Sequence, residues 1–503
     1  MTINFRKALT VLILLVSALS ASGAQAVTSL EGKLNAQWQL YKEARDMLLR
    51  QVQRTDIPEL KDRAITRSEW EKTLALSGDL AFSTQDIIDL RNNQALRIQK
   101  AKALAKQNSI IDLDKVRSEK KAAQFCKKVP KGGMLHIHSY GTLDRATAVS
   151  LLKELNPVLD MSEVFQDIQL SSGNVSLYPE EEAWLKKLPA DTTFLSLSGP
   201  DQDYFASLLF LPPGRQPFIR FNGVFEFITF AIYDNKKKVS HFDDVLMNFA
   251  KKAVAEGVIY VEFTDVASPR LFDRIAVLEQ QTGLVIRVNN SFARSQDLET
   301  LDKELARLST APPAKYLVGI DFLDNEEKFP ALETGQLLYG KVLQGDISGK
   351  LKLHRTMHAG EIGDTRNPRD AMIMGAERLG HGVNLAKDPV ALEYAAMMRE
   401  PVEINLSSNL RLTGVAAVPE HPFLNYLRLG LPVSLSTDDE GIFEIDINHE
   451  CEIAVEQTDI TYAEFRQMAF NSINTSFASE ADKRSLLGKL TDKFKEFEKT
   501  SSY

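Results

Sequence analysis

Apolar residues fall into two periods along this chain. Between about residues 28 and 125 they recur every three or four positions, as in "LNAQWQLYKEARDMLLRQV", where Leu34, Trp38, Tyr41, Met47 or Leu48, and Val52 share one side with charges between them. That spacing predicts amphipathic helices. From Met134 onward the pattern changes to short β-rich runs separated by helix-like segments. The runs are "MLHIH" (134–138), "VIYVEFT" (258–264), "GLVIRVN" (283–289), "YLVGIDF" (316–322), "LKLHRTMH" (351–358), "RLGHGV" (378–383), "PVEINLS" (401–407) and "PVSLST" (432–437). Segments such as "SQDLETLDKELARL" and "PRDAMIMGAE" occupy most of the gaps.

Eight such runs with helices between them predict a parallel (β/α)8 TIM barrel, for which about 250 residues suffice. One connection breaks the rhythm. About 120 residues separate the first run from the second, and residues 155–215 within that gap are rich in Pro, Ser, Gly and acids. A connection that long predicts an insertion with a role of its own.

The N-terminus is read separately. "MTINFRKALTVLILLVSALSASGAQA" combines a basic start, an apolar run and a small-residue end, the pattern of a secretory signal peptide cleaved after Ala26. The expected organisation is a signal peptide at 1–26, a helical extension at 27–125, and the barrel at 126–503 with its insertion at about 155–215. Export to the periplasm or medium is expected, with no membrane contact after cleavage. The formal net charge of −8 offers no basic footprint for nucleic acid and points to small-molecule partners. Two cysteines, Cys126 and Cys451, do not make a disulfide scaffold, and sequence alone leaves open whether they pair or stay free.

The chain has eight histidines, and their placement carries the chemistry. His136 and His138 stand at i and i+2 on the first strand, so both point to one face. His358 ends the fifth strand, with Glu361 just beyond. His381 lies in the sixth, and Asp438 and Asp439 end the eighth. The C-terminal ends of barrel strands face one mouth, so these groups are expected to converge there. Imidazole nitrogens with one carboxylate are a ligand set for zinc with room for a water. His354, four residues before His358, is expected one layer deeper as a packed or supporting residue. His241, His421 and His449 receive no chemistry, and His421-Pro422 reads as a helix start.

The motifs "PKGGMLHIH", "MHAGE", "ERLGHGVNL", "VEINLSSNLRL", "HPFLNYLRLGLPVSLSTDDEGIF" and "QMAFNSINTSF" closely resemble those of the adenosine deaminases. Within that family the chain is similar to the secreted branch, the adenosine deaminase-related growth factors, whose layout includes a leader, a helical extension and an insertion after the first strand. The resemblance implies one Zn2+ per chain held by His136, His138, His358 and Asp438. It implies that Glu361 donates a proton to purine N1. His381 is implied to take the proton of the zinc-bound water and steady the hydroxide, and Asp439 to bond N7. The N-terminal helices are expected to pack on their own domain or, by analogy with the family, to pair two copies as a homodimer.

Two positions depart from the family pattern. Where an aspartate usually reaches the ribose, this chain has Ser139 and Tyr140, followed by the expected Gly141. Where a glycine usually meets purine N3 at the end of the fourth strand, it has Asp324. Tyr140, Gly141, Asp324 and Asp439 are therefore the expected substrate contacts. The leading expectation is conversion of adenosine or 2′-deoxyadenosine to the inosine product and ammonia. An alternative is the same chemistry on a modified adenosine, adenine or another aminated heterocycle. A non-catalytic, growth-factor-like binding protein is the reading from another class, and the complete set of ligands and acids argues against it.

Overall fold

The fold is taken from a computed structural model that describes residues 29–54, 64–171, 173–234, 239–310, 315–412 and 414–501. The leader proposed from the sequence lies outside the described residues. The chain divides into two compact units, one ending at Leu96 and the other running from Arg97 to the C-terminus.

In the first unit, the helix Leu30–Arg54 packs on the helix Arg67–Leu74. Its buried face is Lys33, Gln37, Tyr41, Ala44, Leu48 and Val52, spaced at three and four residues as a helix stripe requires. Trp70 is fully buried against it, and Gln37 Nε2 donates to the Leu74 carbonyl at 2.8 Å, satisfying a helix end.

The second unit is the barrel. Its strands are β1 (Gly132–His138), β2 (Val258–Asp265), β3 (Val285–Ala293), β4 (Leu317–Leu323), β5 (His354–Ala359), β6 (Arg378–His381), β7 (Val402–Ile404) and β8 (Val433–Leu435). They pair in parallel in chain order. Closure is slight. Between β8 and β1 a single bridge joins Asp438 to Ile137, with Asp438 N–H donating to the His136 carbonyl at 3.1 Å. Ser436 Oγ accepts from the N–H groups of Leu135 and His136 at 2.9 and 3.2 Å.

All eight expected strands are present, with shifted ends. β3 runs on to Ala293, and β5 begins only at His354. β7 stops at Ile404 because Leu406–Arg411 coil into a short helix, whose first N–H groups are taken by the buried Glu450. His354 differs from expectation. It opens β5 at the rim opposite the mouth, about half exposed, stacked on Phe477 at 4.5 Å. Being first in its strand places it outside the packed interior.

The barrel interior is charged. Arg378 pairs with Glu262 and Glu403 at 2.5 Å each and lies 3.5 Å over the Phe477 ring. Tyr260 OH donates to Glu262 at 2.6 Å, and Thr356 Oγ1 donates to Glu403 at 3.0 Å. Every lone charge in this layer has a partner, as burial demands.

The connection between β1 and β2 is helical: Arg145–Leu155, Ser162–Leu170, Pro179–Leu185, Gly199–Ser207 and Phe218–Ile232, then Phe242–Ala255. The Pro- and Ser-rich stretch supplies helix starts here; Ser198 Oγ accepts from Asp201 N–H, with Gly199-Pro200 in the first turn. Cys126, in the helix before β1, and Cys451, in the helix after β8, form a disulfide with Cα atoms 5.7 Å apart. Among the described residues no helix is long and apolar enough to cross a membrane.

Candidate active site

The strand ends bring the predicted groups together at one mouth. The ring centroids of His136 lie 5.5, 4.3 and 4.6 Å from those of His138, His358 and His381. His138 Nε2 is 3.1 Å from Asp438 Oδ1 and 3.3 Å from His358 Nε2. His381 Nε2 is 3.7 Å from Glu361 Oε2 and 3.9 Å from Asp438 Oδ2. Ligand atoms of His136, His358, His381 and Asp438 all fall within 4.8 Å of one another.

The backbone is bent to achieve this. His381 and Asp438 both have φ of +61°, and Asp324 has +98°, a region that L-residues avoid. Such conformations persist where surrounding structure overrides their cost. Gly380, beside His381, allows the rings to crowd: a Cβ there would fall 2.8 Å from His136 Cε1.

The histidines are oriented from behind. His136 Nδ1 lies 2.8 Å from Glu403 Oε2, and His358 Nδ1 lies 3.1 Å from Asp321 Oδ1. Burial works against ionisation of both carboxyls, but Arg378 and the His136 hydrogen bond hold Glu403 below its usual range, and His358 does the same for Asp321. A carboxylate only accepts, so each ring carries its proton on Nδ1 and turns an Nε2 lone pair to the centre. His136 Nε2 is buried with no hydrogen-bond partner in the protein, as a ligand atom would be. The residues therefore fit a divalent metal of borderline softness.

Glu361 is buried, and burial first, then the charges of Asp438 and Glu326, push its carboxyl well above the usual range. Burial likewise raises Asp439, both of whose oxygens lack a protein partner. Two carboxyls kept protonated at the mouth can donate to ring nitrogens.

The expected substrate contacts are less uniform. Gly141 packs directly on Asp439. Tyr140 is 43% exposed and stacks on Phe242 at 4.5 Å, so its ring forms part of the rim. The Asp324 carboxylate is engaged by Asn174 Nδ2, by Asn222 Nδ2 at 3.2 Å, by Ser295 Oγ at 2.6 Å and by Asn325 N–H at 2.7 Å. It ties the insertion to the barrel.

Four residues escaped the sequence reading. Asp321 orients His358. Asp265, at the end of β2, accepts from Ser139 Oγ and so supplies a carboxylate beside the position where the family's aspartate is missing. Glu326 accepts from the N–H groups of Gly360 and Glu361 at 2.8 Å and from Asn367 Nδ2 at 2.8 Å, fixing the loop that carries Glu361. His421 reaches the site through Asn409. "GIDF", "FTD" and "DNEE" each place an acid at a strand end, which was the available signal.

Such a mouth, with histidines and carboxylates at the strand ends of a (β/α)8 barrel, defines a metal-dependent hydrolase. A family model described as adenosine deaminase matches residues 218–493, more than half of the sequence. The chain belongs to the adenosine deaminase family and is a metal-dependent deaminase. The match spans His358, Glu361, His381 and the Asp438-Asp439 pair; β1 precedes it.

An adenosine deaminase of Photorhabdus laumondii is 29% identical over 246 residues, which cover 49% of this chain and 68% of that protein. One of Salmonella typhimurium is 29% identical over 206 residues, covering 41% of this chain and 58% of its own length. The chain thus spans less than two thirds of the second relative. Among solved structures, an adenine deaminase from Arthrobacter aurescens superposes with a TM-score of 0.53 at 22% identity, covering 73% of this chain and 100% of that one. A zinc-bound amidohydrolase from Burkholderia ambifaria gives 0.50 at 18% identity, covering 75% and 94%. At these identities the superpositions establish the fold.

Proposed function

We propose that the protein is an exported zinc deaminase that converts adenosine or 2′-deoxyadenosine, with water, to the inosine product and ammonia. The observation that carries this reading is the convergence of His136, His138, His358 and Asp438 at one mouth with the buried carboxyls of Glu361 and Asp439 beside unpartnered histidine nitrogens. A zinc ion held by His136, His138, His358 and Asp438 would supply the Lewis acidity that activates water near neutral pH.

The chain's own groups account for the rest. Addition of water at C6 pushes electrons onto N1, and the Glu361 carboxyl provides the proton that N1 takes up. Asp439, held against Gly141, bonds N7 and fixes the ring's orientation. The water's two protons close the balance: one restores the Glu361 carboxyl, and the other passes to the amino group, which leaves as ammonia as the C6 carbonyl forms. Burial at the mouth keeps bulk water from competing for these hydrogen bonds.

A second reading, deamination of a modified adenosine, adenine or another aminated heterocycle, is favoured by Ser139 with Tyr140, whose ring forms part of the rim. The solved relatives include an adenine deaminase and an Arabidopsis N6-methyl-AMP deaminase. Absorbance assays of residues 27–503 on adenosine, 2′-deoxyadenosine, N6-methyladenosine and adenine, with and without chelator, separate the two. Chelator-sensitive loss of the adenosine signal supports the first; bound metal without adenosine turnover rejects it. Sequencing the N-terminus of the exported protein tests cleavage after Ala26. Light scattering tests pairing through the N-terminal helices.

A further inference from the structure

His381 is held differently from the two histidines oriented by carboxylates. Its Nδ1 faces side-chain amides: Asn409 Nδ2 at 3.0 Å and Asn405 Nδ2 at 3.5 Å. The other end of the Asn409 amide, Oδ1, lies 3.0 Å from His421 Nε2. His421 Nδ1 in turn lies 3.2 Å from the backbone N–H of Phe423. All three side chains are buried.

This chain of contacts has one consistent direction. A backbone N–H can only donate, so His421 Nδ1 accepts. A neutral His421 then carries its proton on Nε2 and donates to Asn409 Oδ1. Burial keeps His421 neutral, its pKa pushed down to about 3. Asn409 is thereby oriented with its NH2 group towards His381 Nδ1. Turning the amide over would set NH2 against the His421 N–H, and His421 cannot switch its proton without losing Phe423.

We infer that His421 and Asn409 are positioning residues that fix the His381 proton on Nε2, so that His381 meets the attacking oxygen as a hydrogen-bond donor. This rests on the deaminase reading of the site and departs from the proton-accepting role that the family resemblance implies. An Nε2 that already bears hydrogen has no lone pair to take the water's proton; that proton passes to the Glu361 carboxylate left once N1 is protonated, whose Oε2 lies 3.7 Å from His381 Nε2. His381 Nε2 is buried, lacks a protein partner, and points between Glu361 and Asp438. A donor there stabilises negative charge developing on the oxygen. The same tautomer distinguishes His381 from the ligands: with Nε2 protonated, it has nothing to offer a metal, although it lies among the ligand atoms.

The test uses the mature chain labelled with 15N-histidine and stripped of metal, read by two-bond 15N–1H correlation. Eight histidines make assignment by single substitutions practical. The expected result is a proton on Nε2 of both His381 and His421. In Asn409→Asp a carboxylate faces His381 Nδ1 and draws the proton there. Its kcat on adenosine should fall about 10²-fold, the loss seen when one oxyanion donor is removed, with KM little changed. His421→Leu should loosen the tautomer and lower kcat, while His421→Gln, whose amide N–H replaces Nε2–H, should restore both. A proton on Nδ1 of His381 in the unmodified protein overturns the inference. So does an Asn409→Asp protein that moves the proton and keeps its kcat. If adenosine is not turned over at all, the substrate assignment fails, while the resonances still decide the tautomer.

Discussion

Asp439 and Gly141 are packed so closely that a Cβ on the glycine would fall 1.8 Å from Asp439 Oδ1. The glycine is the floor on which that carboxyl rests. Gly141→Ala is expected to push Asp439 out of line while leaving the metal ligands in place. A displacement of about 1 Å near the chemistry can cost about 10²-fold in rate. The check is kcat/KM on adenosine beside metal content, and an unchanged kcat/KM would remove Asp439 from ring orientation.

Asp321 sits behind His358 and is itself held by Thr264 Oγ1 at 2.8 Å. Asp321→Asn weakens the acceptor that sets the His358 tautomer. Supporting carboxylates of this kind are worth about 10–100-fold in metal affinity. Competition with a chromogenic chelator should show that loss, with circular dichroism unchanged.

Arg378 bridges Glu262 and Glu403 in the interior, pairing with each at 2.5 Å. Arg378→Met leaves two buried carboxyls without their partner, a change that costs about 3–5 kcal/mol. Urea unfolding at neutral pH measures it. Because Glu403 also bonds His136, metal retention should fall in the same variant.

Asp324 combines an unfavourable φ with four donors to its carboxylate. Asp324→Gly relieves the backbone but releases Asn174 and Asn222. Faster hydrogen exchange at these two asparagines, with the barrel strands unaffected, is the expected outcome. Unchanged exchange would mean that the insertion is held by other contacts.

Glu450 gives a pH signature away from the metal. Burial lifts its pKa from 4.5 to about 8, against the N–H groups of Leu406 and Ser407 that favour the charged form. Between those values the folded protein keeps a proton that the unfolded chain has lost. This contribution to stability is therefore full below about 4.5 and declines as pH rises to about 8. In Glu450→Gln the decline in melting temperature across that window should flatten.

Much of this was legible in the sequence. Parallel barrel strands are buried on both faces, so "VIYVEFT" and "YLVGIDF" stand out as apolar runs, and the histidines and carboxylates at strand ends inherit that clarity. His136, His138, His358, His381 and Asp438 were found this way. Asp265, Asp321, Glu326 and His421 were not, because each acts through another residue, namely Ser139, His358, the loop at Gly360 and Asn409, rather than on the centre itself. Asp324 was read as a pocket residue, while its carboxylate bonds to an insertion whose path no local pattern reveals. The pairing of Cys126 with Cys451 lay equally out of reach, across a separation of 325 residues.

That cystine has a topological consequence. It turns the chain from Cys126 to Cys451 into a covalent ring, and every proposed ligand and acid, from His136 to Asp439, lies inside it. The disulfide joins the helix before β1 to the helix after β8, the two strands that meet at the barrel seam. A single proteolytic cut anywhere within the ring, including the long insertion, yields two fragments that stay joined. They part only when a reductant is added. In an oxidising compartment rich in proteases, a nicked molecule of this protein keeps both halves of its active site.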